Sequence, residues 1–336
     1  MIDFRYHLVS LISVFLALAV GVVLGAGPLQ NSIGTALEDQ VAALRTDRDA
    51  VRAERDQAVV RAERDEAYLS AVAPALIDGA LAGRRVAVVT LPGASGDDVG
   101  RVSAAIEAAG GQIVSRVEVA EAWVDPARLQ YRTTLAGQLL GYLDPAPSAD
   151  AGADGVLAAA LAQGLSRPAG DPATPEGQAA SPDGLTLLEM LRGGDTPLVV
   201  IGKEPSAAAE DVLVVGPRGK QPAAGAEATP SGTPTGGSVT EAELERAAWV
   251  SLVRGVARTV PGFAVVGSTA DGDIVRAVRA DEAAAVEATT VDTVEASTMP
   301  YTAVLALAAD TAGAVGHYGF TTSATALVPP AAAAGP

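Results

Sequence analysis

The groups that could do chemistry in this chain are few. Only His7 and His317 carry imidazoles, and there is no cysteine among 336 residues. His317 stands in Gly316-His317-Tyr318-Gly319-Phe320 and could orient a nucleophilic serine. No serine occupies a strained elbow, however, so His317 reads as a packed or surface histidine. Asp271-Gly272-Asp273 could face a hard cation. A calcium loop needs further carboxylates and a glutamate at its twelfth position, so two acids beside a glycine read as a turn. Leu91-Pro92-Gly93-Ala94-Ser95-Gly96-Asp97-Asp98 lacks the Gly-x-Gly-x-x-Gly spacing and has no Walker lysine. Asp97 and Asp98 would repel phosphate there and read as capping residues. No catalytic, cofactor-binding or metal-binding residue is assigned, and no enzymatic activity is expected.

Partners are bounded by charge. Lys and Arg total 23 against 40 Asp and Glu, a formal charge of -17, which leaves no basic face for nucleic acid. Lys203 and Lys220 are the only lysines. Hydrophobic residues make up 49% but aromatics only 4%, so the core is expected from Val, Leu, Ile and Ala.

The first element is apolar. After Asp3, Arg5 and His7 no charge appears until Glu38, and Leu8–Gly25 is almost wholly hydrophobic. About 20 helical residues at about 1.5 Å each cross a hydrocarbon core of about 30 Å. A cleaved signal peptide would have a more basic start, a shorter apolar run and no Pro28 after the small residues Gly25-Ala26-Gly27. The expectation is an uncleaved transmembrane helix over 8–27. Arg5 precedes it and the next basic residue is Arg45, which predicts a cytoplasmic N-terminus (1–7) and an extracytoplasmic bulk. A chain without cysteine fits that compartment without requiring it.

Residues 28–74 read as a long coiled-coil-like helix ended by Pro74, free of Gly and Pro from Thr35 to Ala73 and ~60 Å long over that stretch. In one heptad register Leu37, Leu44, Val51 and Ala58 take d, while Val41, Arg48, Arg55, Ala62 and Leu69 take a. Parallel chains would then pair Asp47 with Arg52 and Arg61 with Glu66, a homodimer or higher oligomer through Leu37–Leu69. Against this, Val51–Ala58 recurs nearly unchanged as Val60–Ala67, a nine-residue step that breaks heptad phase. A single solvated helix laced with Arg–acid pairs is the alternative. Either way the segment would hold the following domain away from the membrane.

The rest alternates strand and helix. Arg84–Leu91 reads as a strand, Asp97–Ala109 as a helix stopped by Gly110-Gly111, and Gln112–Val119 as a strand: a βαβ unit with a parallel, helix-covered sheet. Asp125-Pro126 opens a helix through Leu143. Further helices are read over Gly155–Leu165 and Leu185–Leu191, and strands at Pro197–Gly202, Val212–Gly216 and Phe263–Gly267. Ser238-Val239-Thr240-Glu241 has capping-box spacing for a helix to Thr259. Residues 217–237 read as a disordered insertion and 326–336 as a disordered tail. The fold class is therefore α/β: a transmembrane helix, a long helix, and a Rossmann-like doubly wound domain over 80–325.

Met1-Ile2-Asp3-Phe4-Arg5-Tyr6-His7-Leu8 and the apolar run to Gly25 resemble the opening of the actinobacterial MctB family of copper transporters. The uncharged linker, the Arg/Glu/Asp helix and the Arg85–Leu91 strand follow in the family's order. The resemblance implies a cell-envelope protein in copper efflux or tolerance, with copper as the transported ion and the outer membrane as one location. The residues do not explain conduction. Copper(I) prefers thiolate and thioether and copper(II) imidazole, yet sulfur is limited to Met1, Met190 and Met299. One helix encloses no channel unless it oligomerises, and a barrel needs about eight or more alternating strands. A second reading is a non-catalytic extracytoplasmic scaffold that dimerises by its coiled coil and binds an envelope partner protein, in cell-wall or division control. A third is a small-ligand sensor using the crevice at the carboxyl ends of the strands.

Overall fold

The computed structural model describes residues 3–26, 28–148, 151–166, 180–219, 240–270, 273–292 and 296–330. It divides into two units, Met1–Tyr68 and Leu69–Pro336.

The first unit is helical. Helix α1 (Asp3–Ala26) carries one stretch long and apolar enough to cross a membrane, the 20 residues Phe4–Val23, none of it buried. Ser13 returns its hydroxyl to the Val9 carbonyl at 2.8 Å, so this polar group needs no water. Helix α2 (Pro28–Ile77) exposes Leu37, Val41, Leu44 and Val51 to solvent. Its arginines at the two a positions pair with their chain neighbours, Arg48 with Asp49 at 2.7 Å and Arg55 with Asp56 at 2.6 Å. Pro74 does not end the helix. The last turn runs on to Ile77 because Ala73 and Ile77 are buried in the second unit, and that packing outweighs the one backbone bond that proline forgoes.

The second unit is a seven-stranded sheet in the order β3-β2-β1-β4-β5-β6-β7. Its strands are β1 (Arg85–Thr90), β2 (Gln112–Val119), β3 (Val199–Lys203), β4 (Asp211–Val215), β5 (Gly262–Val266), β6 (Thr289–Val291) and β7 (His317–Tyr318). All neighbours pair in parallel except β3, which runs antiparallel to β2 at the edge. The expectation of a parallel sheet fails at this strand for a simple reason. The stretch Glu204–Glu210 between β3 and β4 is shorter than the roughly dozen residues a parallel crossover needs. Strand β3 must therefore finish at the end of the sheet where β4 begins.

Helices cover both faces. On one lie α4 (Leu129–Leu139), α5 (Gly152–Leu165), α6 (Pro182–Arg192), α7 (Glu241–Ala257) and α8 (Ile274–Ala280), followed by the single-turn α9 (Glu282–Ala285). On the other lie α3 (Gly96–Ala108), α10 (Met299–Thr311) and the end of α2. The central strands serve both by their two-residue period: Ala87 and Val89 of β1 join the first core, Val86 and Val88 the second. Aliphatic residues dominate both clusters, with Trp123, Trp249 and Phe263 among the few rings.

Local signals mostly land where the sequence puts them. Asp125 caps its turn through the Ala127 N–H at 2.8 Å, and Gly110 stops α3 at φ +82°. The capping box of α7 is displaced, made by Thr240 and Glu243 and not by Ser238 and Glu241, whose first member lies outside the described residues. Most of the 217–237 insertion also lies outside them, as do 331–336 of the tail. Ala326, assigned to that tail, is bridged to Tyr318.

Candidate functional site

Strand order reverses between β1 and β4, because the chain leaves β1 toward β2 and leaves β4 toward β5. In open α/β sheets the crevice outside the carboxyl ends at that point is where ligands bind. Here it holds a cavity of about 340 Å³. Leu91 and Pro92 reach it from the end of β1 and Pro217 from the end of β4, while Asp273 and Ile274 reach it from the cap and first residue of α8. Glu121 and Asp125 enter from the turns after β2, and Glu245 and Trp249 from α7, where their i,i+4 spacing puts them on one face. The lining contains four carboxylates and no basic side chain.

Beside the crevice, the corner where a dinucleotide's phosphates would lie is already closed. Asp98, in the first turn of α3, is 0% exposed. Arg218, just after β4, grips it bidentately through Nε and a terminal nitrogen, each at 2.7 Å, and Arg101 adds a third bond from one turn along. The Arg218 bond, seconded by Arg101, holds the Asp98 carboxyl below the usual carboxylate range. The expected capping role is therefore corrected for Asp98. The cap position is Ser95, which makes no side-chain capping bond, and Asp98 instead anchors the β4 loop onto α3. Asp97 stays exposed in the same turn.

A second polar group sits at the opposite, amino end of the strands. Asp211 is fully buried, receives Arg84 through two bonds, and accepts the Thr311 hydroxyl at 3.2 Å. Asp310 accepts the Phe263 N–H at 2.8 Å and the Thr289 hydroxyl at 2.5 Å. Burial pushes the Asp310 carboxyl up to about 6, opposed by those bonds and helped by the nearby Asp211 charge. Burial likewise raises Asp211 against the pull of Arg84. These groups tie β4, β5 and β6 to α10.

The other singled-out residues scatter. His317, on β7, shares a 2.9 Å hydrogen bond between Nδ1 and the Thr290 hydroxyl, and burial together with the Arg279 charge lowers its pKa. Nearby, buried Arg279 clamps Asp292 at 2.7 Å and bonds the Tyr318 carbonyl, locking the last strand. His7 is exposed on α1, Met190 packs at the rim of the first core and Met299 is buried in the second. The sulfur and imidazole donors thus come from separate elements. Among the described residues no three His, Cys, Asp or Glu side chains stand close enough to hold a metal ion. Asp271 and Gly272 lie outside the described residues, and Asp273 occupies the cap position of α8 without a capping bond.

Sequence reasoning named the crevice only as a location. Glu121, Glu245, Trp249 and Arg218 went unassigned because they converge from elements far apart in the chain. Their one local signal was the i,i+4 pairing of Glu245 with Trp249.

A helix long and apolar enough to cross a membrane, in a chain that also folds a Rossmann-like domain whose phosphate corner is closed by its own arginine, defines a membrane-associated α/β protein. The chain belongs to the MctB family: the family described as "Copper transport outer membrane protein, MctB" matches residues 1–329. It is similar to the copper transporter MctB of Mycobacterium tuberculosis, 30% identical over 335 residues, covering 95% of this chain and 96% of that protein. The copper transporter MctB of Mycobacterium bovis shows the same identity and coverage. That of Mycobacterium leprae is 40% identical over 125 residues, 37% of this chain and 39% of that one.

Proposed function

We propose that this chain acts in copper transport at the cell envelope as an anchored, non-catalytic oligomer. Its N-terminus lies in the cytoplasm and its α/β domain outside. The observation that carries the reading is Phe4–Val23, an apolar helix of spanning length with no buried residue, in a chain whose full-length relatives are named copper transporters. Arg5 before the span, and no basic residue after it until Arg45, support the orientation. The exposed Leu37, Val41, Leu44 and Val51 support pairing with a second copy. An apolar helix, retained as a span, favours the cytoplasmic membrane.

The scattered donors support a division of labour in which the α/β domain does not hold copper through a ligand set of its own. Any path for the ion then lies between several copies of α1, since one helix encloses nothing. The test is cell-associated copper, read by mass spectrometry in a deletion strain. That strain is complemented with the full chain or with the chain from Thr35 onward. The full chain is expected to lower copper in copper-fed cells, and the truncated chain to leave it at the deletion level. Equal copper in all strains overturns the transport role, and rescue by the truncated chain overturns the anchor. A phosphatase fused after Pro336 is expected to be active only outside the cytoplasm.

A further inference from the structure

We propose that the crevice at the switch point binds a small organic cation, an amine or guanidinium carried on an apolar stem. This goes beyond the copper reading and does not depend on it. Three features of the crevice point the same way.

The first is charge. Glu121 and Glu245 line it with no ion pair or hydrogen bond among the described residues, and both are exposed at the rim. Asp125 spends one oxygen on capping its turn and meets Arg128 only at 3.8 Å. The nearest strong cation across the β4 loop, Arg218, is bound to Asp98. Carboxylates converging without cations attract a positive ligand and repel nucleotides and other anions.

The second is the lining. Trp249 is 7% exposed and lines the cavity. Indoles attract ammonium and guanidinium groups through the ring as well as packing apolar stems. Leu91 and Ile274, both buried, and Pro217 complete an apolar floor. The Asp273 Oδ2, in the same lining, is buried without a hydrogen-bond partner among the described residues. A buried carboxylate oxygen left unpaired is costly, and a donor from a bound ammonium would satisfy it.

The third is size. The cavity of about 340 Å³ is in the range of small-molecule sites, and its acids are too far apart for three to share one ion. A metal would meet one or two of them, whereas an extended amine can meet one end's carboxylate while its stem lies on Trp249.

The test is calorimetric titration of the full-length protein in detergent with agmatine and with phenethylamine. n-Hexanol serves as the neutral control and copper(II) as the metal arm. Saturable binding of at least one amine is expected, with none of hexanol. Glu245→Gln is expected to weaken binding by about tenfold without shifting the melting temperature of the free protein, since Glu245 is exposed and unpaired. Glu121→Gln provides the same readout from the opposite wall. No saturable heat with either amine overturns the proposal, as does binding unchanged in both variants. Displacement of the amine by equimolar copper(II) would make the crevice a metal site and overturn it equally.

Discussion

Asp98 and Asp310, both buried in this domain, are pushed in opposite directions. Asp98 meets two guanidinium groups, so its charged form is favoured despite full burial. Asp310 meets only an amide and a hydroxyl, with Asp211 adding like charge, and its neutral form is favoured up to a pKa of about 6. A carboxyl raised in the fold above its unfolded value of 3.8 stabilises the protein fully below that value. It loses this contribution as pH rises through about 6. Asp310→Asn keeps an oxygen for the Phe263 N–H, and the Thr289 hydroxyl can turn to accept from the new amide. The substitution is therefore expected to flatten the fall in stability between pH 4 and 7 and to raise the melting temperature at pH 7. The gain is bounded by about 3 kcal/mol, at about 1.4 kcal/mol per pH unit of displacement. Tryptophan fluorescence melts at pH 5 and pH 7 check it, because Trp123 and Trp249, the only tryptophans, both sit in this domain. None of this pairing was legible in the sequence. Asp98 and Arg218 lie 120 residues apart, and nothing local distinguishes that aspartate from its exposed neighbour Asp97.

Elements were far more legible than contacts between them. Arg85–Thr90 and Phe263–Val266 announce themselves by aliphatic runs between turn residues, and Gln112–Val119 by aliphatic residues interleaved with polar ones after Gly110-Gly111; the structure finds strands there. What periodicity cannot carry is direction. The sequence of β3 fits either orientation, and only the short link to β4 makes it antiparallel. Helix packing is equally silent in the sequence. Gly255 of α7 lies so close to Ala158 of α5 that a Cβ there would fall well inside contact distance of the alanine methyl. Gly164 of α5 is similarly closed off by Leu188 of α6, at 2.6 Å from its would-be Cβ. Gly255→Ala is thus expected to push α5 and α7 apart and cost about 1–3 kcal/mol, although alanine is the better helix former. Ala158→Gly in the same chain should recover part of that loss. Urea unfolding of the four proteins of the double-mutant cycle reads the coupling, and strictly additive effects would deny the contact.

At the scale of the whole molecule the question is whether α2 pairs with a second α2 or stands in water alone. Both readings begin from the same residues. Leu37, Val41, Leu44 and Val51 form an apolar seam for the first two heptads, and all are exposed in the single chain. The arginines at a positions satisfy themselves along the chain, Arg48 with Asp49 and Arg55 with Asp56, which weakens any demand for a partner in the middle of the helix. Burying four aliphatic side chains per helix against a copy outweighs such exposed pairs, each worth less than about 1 kcal/mol, so pairing is expected where the seam is apolar. The absence of cysteine makes this directly readable. A parallel pair brings two Leu44 positions together at d, while Thr46, at f, faces away from the seam in the same register. Leu44→Cys is therefore expected to form a disulfide-linked dimer on mild oxidation of the membrane-bound chain, and Thr46→Cys to remain largely monomeric. Equal cross-linking at both positions would mean collision and no register, and cross-linking at neither would leave α2 a solvated single helix. Cysteines placed on either side of the nine-residue repeat step, at Ala58 before it and at Ala62 after it, extend the same measurement. Their yield is expected to fall where the phase slips, which would confine pairing to the first heptads.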